Sequence, residues 1–238
     1  MFSRSAEIYD AVFAAKGKNY AAECTTLFRI LDEARRTSGT DLLEIACGTG
    51  GHTGYLKDRF TVTGIDIDPG MLAIARTRHP DVRFLEADMA SFELAERFDV
   101  ILCLFSAIGY MTTPGDLHRA IRTMAAHLKP GGLLVVEPWL APGEYRPGAV
   151  FASFVDQPEL KVSRINVNIL RDKRSVIEFH YLVGRPSGVE YFTETHELGL
   201  FTREEYTDAF AASGLEVRFL ADGLIGRGMY LAFRPSEA

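Results

Sequence analysis

The segment LLEIACGTGG, residues 42–51, is the part of the sequence that most constrains the fold. Its apolar run is typical of a buried strand, and Gly48 and Gly50 follow that run directly. Glycine adopts backbone conformations that other residues avoid, and it lets the chain approach another group closely. We therefore expect a buried strand, a tight glycine turn and then a helix, arranged around a ligand that contacts the turn.

Strands and helices alternate along most of the chain. We predict further strands in TVTGIDID, VRFLEADM, FDVILCLFS, LLVVEPW, LEVRFLADG and GRGMYLAF. We predict helices over residues 20–36, 69–78 and 115–128 and in TREEYTDAFAASG. Strands that alternate with helices give a parallel sheet covered on both faces, so the predicted fold class is α/β with a Rossmann-like sheet.

Between residues 140 and 200 the pattern changes. LKVSRINVNIL, SVIEFHYLVG and VEYFTETHELGLF are β-rich and are joined by the turn residues RDKR and RPSG, which is typical of an antiparallel meander. We therefore divide the chain into a core, residues 1–139 and 201–238, and a small antiparallel β insertion, residues 140–200.

Composition and charge restrict the class of protein. Hydrophobic residues make up 47% and charged residues 24% of the chain, as in soluble globular proteins, and the net charge of −6 argues against a nucleic-acid surface. A locally basic pocket for an anionic small molecule remains compatible with that charge.

The start MFSRSAEIYD lacks a signal-peptide pattern, and no apolar run approaches the ~18–20 residues of a membrane span. Three scattered cysteines without a CxxC pair favour a reducing cytoplasm and predict no metal site.

Three acids near the ends of predicted strands indicate the chemistry of the ligand. Glu44 lies near the mouth of the first strand, Asp66 ends the second, and Asp88 ends the third. A dinucleotide turn would carry a third glycine where Thr53 stands, and the Lys-Ser or Lys-Thr pair of a P-loop is missing. Acids at the strand ends suit a positively charged adenosine ligand, with Asp66 accepting from ribose hydroxyls and Asp88 reaching the adenine amino group. S-adenosylmethionine is the natural candidate, and a nicotinamide-dependent oxidoreductase is disfavoured.

Four motifs occur in order over residues 42–137: LLEIACGTG, GIDIDPGML, ADM and LKPGG. Together they resemble the class I S-adenosylmethionine-dependent methyltransferases. The resemblance implies a seven-stranded methyltransferase sheet with helices on both faces, and S-adenosylmethionine as the methyl donor. The candidate contacts to that donor are Tyr20, Ala46, Gly48, Gly50, Asp66, Asp88, Met89 and Leu104. Ala46 can offer only its backbone, and Met89 and Leu104 are expected to form apolar walls.

Segments outside the core motifs carry a narrower resemblance. These segments are YDAVFAAKGKNYAAE, LFSAIGY, VVEPW, IEFHYLV and GRGMY. They look like the N,N-dimethyltransferases that act on nucleotide-linked 3-amino-3,6-dideoxyhexoses in desosamine or mycaminose biosynthesis, as part of antibiotic biosynthesis. The chain departs from some members at Tyr110, where they carry histidine, so the resemblance does not imply a catalytic base at that position.

This resemblance supplies candidate residues for the acceptor. They are Tyr9, Glu137, Trp139, Arg164 and Arg227. Tyr9 lies in a segment expected to act as a lid, in which Tyr9 and Tyr20 flank KGKN. Glu137 and Trp139 follow the fifth strand, on the rim where this fold binds its substrate. Arg164 and Arg227 are the cations expected to hold a diphosphate, because a guanidinium grips phosphate oxygens with two parallel hydrogen bonds.

The expected reaction makes modest demands on the protein. A neutral amine is itself the nucleophile, so the enzyme mainly holds it close to and in line with the donated methyl group. Tyr110 and His180 are the candidates for orienting the amine or taking its proton. Two alternatives stay open: a methyltransferase for a different nitrogen or oxygen acceptor, and a non-catalytic adenosylmethionine-binding protein. A homodimer is also compatible with the sequence.

Overall fold

Two β-sheets build the computed structural model, which describes residues 4–236. The strands are β1 (Asp41–Ile45), β2 (Thr61–Asp66), β3 (Arg83–Glu86), β4 (Phe98–Cys103), β5 (Leu128–Val136), β6 (Val150–Gln157), β7 (Leu160–Arg171), β8 (Arg174–Arg185), β9 (Gly188–Gly199), β10 (Glu216–Leu220) and β11 (Met229–Phe233). The α-helices are α1 (Tyr9–Ala15), α2 (Tyr20–Ala34), α3 (Thr53–Leu56), α4 (Pro69–Arg78), α5 (Pro114–Ala126) and α6 (Arg203–Ala212). Short 3-10 turns cover Ala6–Ile8 and Ala107–Tyr110.

The central sheet has seven strands in the order β10-β11-β5-β4-β1-β2-β3. The predicted seven-stranded sheet is confirmed, but it is mixed rather than parallel throughout, because β11 runs antiparallel to both β5 and β10. Residues 221–228 join β10 to β11. A connection this short cannot make the crossover of about a dozen residues that parallel neighbours need, so the two strands form a hairpin.

Helices cover both faces of the central sheet, as predicted. Leu43 and Ile45 of β1 pack on one face with apolar residues of α5 and α6. Leu42 packs on the other face with residues of α2. Successive side chains of a strand point to opposite faces, so a strand covered on both sides is apolar at nearly every position. This explains the unbroken apolar run that precedes the glycine turn.

The second sheet, in the order β6-β7-β8-β9, is the predicted antiparallel meander. On its inner face Phe179, Tyr181 and Phe192 pack with Ile8 and Val12 from the start of the chain. Its outer face exposes large apolar side chains, namely Val150, Phe154, Ile165, Val167, Leu182, Val189 and Tyr191. The N-terminal helical segment therefore lies against the second sheet.

Helix α4 has its predicted bounds, whereas α2 ends at Ala34 and α5 spans Pro114–Ala126. The segment LKPGG is part of β5 rather than only a helix stop, because Leu128 already pairs with Phe98 of β4. Within residues 4–236 none of the helices combines the length and the apolar character that crossing a membrane requires.

Candidate active site

The glycine turn after β1 is held by the carboxylate of Asp66 at the end of β2. Gly48 and Gly50 have φ angles of 56° and 77°, in the left-handed region that favours glycine. The Gly48 N–H donates to Asp66 Oδ2 at 2.8 Å, and the Asp68 N–H donates to Oδ1 at 2.9 Å. Burial raises the pKa of Asp66, although these hydrogen bonds oppose the rise. A carboxylate has about four lone-pair sites, so it can hold the turn and still accept from a ligand.

The backbone around the turn leaves space beside Asp66. A Cβ atom at Gly48 would meet no described heavy atom within 4 Å apart from its chain neighbours. Ala46 is also left-handed, with a φ of 52°, a conformation that costs an L-residue about 1–2 kcal/mol. Strain of this kind is typical of functional sites. The turn therefore presents backbone to an open space next to a carboxylate.

A buried network of charged residues lies beneath the turn. Glu23 Oε2 accepts from Lys18 Nζ at 2.6 Å and lies 2.8 Å from His52 Nε2. Thr53 Oγ1 donates to Glu44 Oε2 at 2.5 Å, and Glu44 is only 2% exposed. Burial raises the pKa of Glu44 to about 7. Glu44 therefore lies under the turn instead of facing a ligand as the sequence predicted, because the start of α3 covers its carboxyl group.

The N-terminal segment lies over the same turn. Asp10 of α1 accepts from Thr49 Oγ1 at 3.0 Å and from Tyr20 Oη at 3.3 Å, and it forms an ion pair with Arg78. A Cβ atom at Gly51 would clash with the ring of Tyr20. Tyr20 therefore contacts the glycine turn, and α1 is tied to it through Asp10.

Three further candidates for the methyl donor lie after β3 and β4. β3 ends at Glu86, earlier than predicted, because its partner β2 ends at Asp66. Asp88 follows in a turn, where its exposed carboxylate accepts from the Ala90 N–H at 2.8 Å. Met89 is partly buried against the core, and Leu104 is 4% exposed. These residues thus follow the carboxyl ends of their strands, the sheet edge at which α/β proteins bind ligands.

The backbone after β4 is strained. Phe105 and Ser106 are consecutive left-handed residues, with φ angles of 53° and 60°. The Phe105 N–H donates to Glu137 Oε2 at 2.6 Å, and Ser106 Oγ donates to the Pro138 carbonyl at 2.7 Å. Glu137 is 1% exposed, and its Oε1 has no hydrogen-bond partner among residues 4–236. Burial raises the pKa of Glu137. A buried carboxylate therefore supports the strained backbone with one of its two oxygens.

Arg227 joins this region from the loop before β11. Its Nη1 donates to Ser106 Oγ at 3.0 Å, and its guanidinium lies 4.7 Å from the centroid of the Trp139 ring. Trp139 Nε1 donates in turn to Ser175 Oγ of β8 at 2.8 Å. The fold thus brings Glu137, Trp139 and Arg227 together at the carboxyl ends of β4 and β5.

Arg164 occupies an unusual environment on the inner face of β7. It is 2% exposed and lies between two rings, 5.2 Å from Phe13 and 4.5 Å from Phe179. Its Nε donates to Ser153 Oγ at 3.2 Å, but its Nη1 has no hydrogen-bond partner in the described part of the chain. A buried guanidinium without a full set of acceptors is costly, so it calls for an explanation.

Lys16 lies near Arg164, because both cations lie over the Phe13 ring, at 5.9 Å and 5.2 Å from its centroid. The pKa of Lys16 is lowered by burial and then by the positive charges of Arg164 and Arg227. We call Lys16, Arg164 and Arg227 the cationic cluster. Over residues 4–236 none of the three forms an ion pair, in a chain whose net charge is −6. The cluster is therefore an anion-attracting region next to Trp139.

Tyr110 follows the strained residues and reaches the second sheet. Its Oη lies 2.7 Å from His196 Nδ1 of β9, and His196 Nε2 lies 3.9 Å from Glu194 Oε2. Burial raises the pKa of Tyr110 well above its usual value, and the charges of Tyr9 and Asp66 add to the rise. Tyr110 is therefore a neutral phenol at physiological pH, and it lies within electrostatic reach of the acid that holds the glycine turn.

Tyr9 lies within electrostatic reach of Tyr110. Its ring packs on Phe13 at a centroid distance of 4.6 Å. Burial raises the pKa of Tyr9, and the charges of Asp10 and Asp66 contribute. The N-terminal segment thus carries Tyr9 within electrostatic reach of Asp66 at the carboxyl edge of the central sheet.

His180 does not join these residues. It projects from the outer face of β8, with its side chain 44% exposed, and its ring nitrogens lie 2.7 Å from Tyr191 Oη and 3.0 Å from Glu178 Oε1. The neighbouring Phe179 and Tyr181 are on the buried inner face. Because side chains alternate along a strand, His180 must point away from the site. The sequence-based choice of His180 is corrected by this geometry.

Sequence reasoning missed His196, Lys16 and Asp10. His196 has the same parity along β9 as the buried Phe192 and Leu198, so strand alternation could have indicated that it points inward. Lys16 and Asp10 lie in a short helical segment whose orientation no local pattern indicates. Their contacts depend on where α1 packs.

The residues at the turn fit S-adenosylmethionine. Gly48 leaves the space that a Cβ would otherwise fill, Asp66 can accept from ribose hydroxyls, and Tyr20 lies against the turn. The Asp66 carboxylate beside the turn would repel a polyphosphate, and Arg78, which reaches the turn, is paired with Asp10. The fold and the site together define a class I S-adenosylmethionine-dependent methyltransferase, whose methyl donor is S-adenosylmethionine.

Comparison with known proteins identifies the family. Residues 42–132 match the model of the methyltransferase domain family. The chain is 42% identical over 229 residues to dTDP-3-amino-3,6-dideoxy-alpha-D-glucopyranose N,N-dimethyltransferase from Streptomyces fradiae, covering 94% of this chain and 89% of the relative. The crystal structure of DesVI from Streptomyces venezuelae superposes with a TM-score of 0.91 at 34% identity, covering 98% of each chain. CalS10, an amino pentose methyltransferase from Micromonospora echinaspora solved with S-adenosylmethionine bound, gives a TM-score of 0.86 at 36% identity, covering 95% of this chain and 96% of its own. The chain belongs to this family of sugar N-methyltransferases.

Proposed function

We propose that this enzyme N,N-dimethylates the amino group of a nucleotide-linked amino-deoxysugar. The observation that carries the proposal is the cationic cluster, with Lys16 and Arg164 over the Phe13 ring and Arg227 over Trp139, in which no member is ion-paired among the described residues. A nucleotide sugar brings a negatively charged diphosphate to a protein of net charge −6. Fixed cations offset the repulsion, and guanidinium groups hold phosphate oxygens with two parallel hydrogen bonds.

Within the cluster the three cations have different roles. Arg227 and Lys16 are accessible and would meet the diphosphate directly, since Arg227 already lies over Trp139. Arg164 is buried between Phe13 of α1 and Phe179, so it would add positive charge from behind without contacting the diphosphate. The sugar would then lie near Glu137, whose buried Oε1 has no hydrogen-bond partner among the described residues.

The inserted sheet would form the roof of the acceptor pocket. It contributes Arg164 from β7 and His196 from β9, and Trp139 is bonded to Ser175 of β8. The core, residues 1–139 and 201–238, would bind the methyl donor beneath it. This division assigns donor binding and acceptor choice to different parts of the chain.

The mechanism requires orientation more than acid–base power. S-adenosylmethionine, when bound, supplies a methyl group activated by its sulfonium. Asp66 and the backbone at Ala46, Gly48 and Gly50 would hold that donor, and Tyr110 would orient the amine. The amine must be in its neutral form, and holding it in line at about 3–3.5 Å from the methyl carbon provides most of the rate. Tyr110 is a neutral phenol and therefore cannot serve as a strong base.

Mass spectrometry tests the proposal. The protein is incubated with S-adenosylmethionine and a panel of dTDP-linked sugars, each amino sugar being paired with its hydroxyl analogue. Products heavier by one or two methyl groups are expected for amino sugars alone. Methylation of the hydroxyl analogues would favour an O-acceptor instead. No product in the presence of measurable S-adenosylmethionine binding would favour the non-catalytic alternative.

We also propose that the enzyme is a homodimer formed through the outer face of the second sheet. Val150, Phe154, Val189 and Tyr191 are each more than half exposed on that face. Ile165, Val167 and Leu182 are exposed on β7 and β8, between the edge strands β6 and β9, and an apolar face of this kind marks an interaction site. A two-fold pair is the commonest assembly. Sedimentation velocity should give a dimer for the parent and a monomer for Phe154→Glu. A monomeric parent protein would contradict the proposal.

The proposed compartment is the cytoplasm. Cys24, Cys47 and Cys103 are free and buried. Unpaired cysteines suit a reducing compartment. Expression in the cytoplasm with all three thiols titratable after unfolding is the expected result.

A further inference from the structure

Three groups connect the inserted sheet to the proposed acceptor site. Glu194 accepts from Ser5 Oγ at 2.6 Å and from the Ser5 N–H at 3.0 Å. Its carboxylate faces His196 Nε2 at 3.9 Å, and His196 Nδ1 faces Tyr110 Oη at 2.7 Å. Glu194 and His196 are buried on the inner face of β9, and Tyr110 reaches His196 from the 3-10 turn after β4. We call Glu194, His196 and Tyr110 the Glu–His–Tyr chain.

Burial and the neighbouring charges together determine the protonation state of His196. Burial lowers the pKa of His196, and the positive charge of Arg164 contributes, whereas Glu194 opposes the shift. Burial also acts on Glu194, but the hydrogen bonds that it accepts from the Ser5 hydroxyl and from the Ser5 and Arg4 N–H groups outweigh burial and lower the pKa of that carboxyl. His196 is therefore neutral beside an ionised carboxylate.

A neutral imidazole carries hydrogen on one ring nitrogen and accepts at the other. The negative charge of Glu194 attracts that hydrogen to Nε2, which leaves Nδ1 as an acceptor. The Tyr110 hydroxyl must then donate to Nδ1, and its oxygen keeps only lone pairs to offer to any other partner. The chain thus has a direction, from the phenol toward the carboxylate.

We infer that Glu194 and His196 are positioning residues that force Tyr110 to accept, and not to donate, a hydrogen bond from the amine of the sugar. This inference rests on the proposed function. An amine that donates its N–H to Tyr110 Oη keeps its lone pair free to form the new nitrogen–carbon bond. A phenol that donated to the nitrogen would occupy that lone pair and suppress methylation.

The tautomer can be measured without any substrate. Long-range proton–nitrogen NMR spectra of the parent protein distinguish the two ring nitrogens, and loss of one signal set in His196→Phe assigns His196 among the six histidines. We expect hydrogen on Nε2 and a bare Nδ1 at neutral pH. Hydrogen on Nδ1, or on both nitrogens, would overturn the inference.

A double-mutant cycle tests the consequence for catalysis. In His196→Phe the Tyr110 hydroxyl is released and can donate to the amine, so kcat should fall below that of Tyr110→Phe by about 5- to 30-fold, with KM for the amino sugar little changed. Adding Tyr110→Phe to His196→Phe removes the misdirected hydroxyl and should restore kcat to the value of Tyr110→Phe alone. A double variant as slow as His196→Phe would show that His196 only supports the structure.

Two controls keep these outcomes interpretable. His118→Phe on α5 is a matched substitution outside the site and should keep the parent kcat. If His196→Phe does not fold, Glu194→Gln keeps the shape but removes the charge. The Glu194→Gln variant should show a mixture of His196 tautomers and a lower kcat at unchanged KM. If His196 in this variant carried its hydrogen on Nε2 alone, that result would contradict the role of Glu194. Absence of turnover by the parent with every amino sugar would instead refute the proposed function.

Discussion

Asp66 links the fold to the proposed chemistry through a single carboxylate. Its two oxygens accept from the Gly48 and Asp68 N–H groups, so the same residue shapes the glycine turn and faces the space beside it. An amide at this position offers only one acceptor atom, and its NH2 group would face one of the two backbone donors.

Asp66→Asn should therefore weaken binding of S-adenosylmethionine by about 1–3 kcal/mol. Isothermal titration calorimetry on the purified variant measures the loss. Asp58→Asn, an exposed aspartate beyond α3, is the matched control and should bind like the parent. Unchanged affinity in folded Asp66→Asn would remove Asp66 from the donor site.

Arg227 is the accessible guanidinium of the cationic cluster. Arg227→Ala should raise KM for the nucleotide sugar by the equivalent of about 1.5–3 kcal/mol and leave S-adenosylmethionine affinity unaltered. Arg227→Lys should recover only part of the loss, because an ammonium keeps the charge but not the planar fork. Steady-state kinetics with the acceptor varied measures both. An alanine variant with the parent KM would mean that the diphosphate binds elsewhere.

At the scale of elements, strand alternation decides which side chains can take part. β8 and β9 pair over their whole length, so one face of each strand lines the interior and the other faces solvent. Phe179 and His196 lie on the inner face with ring centroids 5.3 Å apart, whereas His180 stacks with Tyr191 outside. The second sheet therefore offers one histidine to the site and one to solvent.

His180→Gln should keep kcat/KM within about twofold of the parent, since surface substitutions rarely exceed ±0.5 kcal/mol. The same assay applied to His196→Phe should show a clear loss. A large decrease for His180→Gln, in a variant that melts at the parent temperature, would return His180 to the site.

At the scale of the whole molecule, the charged network beneath the glycine turn ties α2, α3 and β1 together. It contains Lys18, Glu23, His52 and Glu44, all of them largely buried in their side chains. A network of this kind makes stability depend on pH, because its members titrate differently in the folded and unfolded chains.

The pKa of Glu44 determines whether this contribution to stability rises or falls with pH. Its pKa rises from an ordinary value of 4.5 to about 7 in the folded protein, so between these values the folded chain binds a proton that the unfolded chain releases. The contribution of Glu44 to the free energy of unfolding therefore falls as pH rises through this window. Glu44→Gln removes the effect and should gain about 1–3 kcal/mol relative to the parent between pH 5 and pH 8.

Urea unfolding at the two pH values checks this prediction. Glu33→Gln, on the exposed side of α2, is the control and should show no such gain. An equal difference between Glu44→Gln and the parent at both pH values would mean that Glu44 has an ordinary pKa in the folded chain.

The sequence by itself determined the α/β class, the glycine turn, the position of Asp66 at a strand end and the antiparallel character of the insertion. These features depend on residues that are close along the chain, where periodicity and glycine placement report local backbone directly. Motifs in a fixed order then indicated the methyltransferase family, because the same local units recur in that order.

Only the tertiary structure decided which distant side chains meet. Tyr110 and His196 are 86 residues apart, and Lys16, Arg164 and Arg227 come from three distant parts of the chain. The burial of Glu44 and the exposure of His180 likewise depend on what packs against each strand. The physical reason is that the relative positions of elements follow from the packing of whole faces. A local pattern in the sequence sets the face of a residue, but not the partner that covers it.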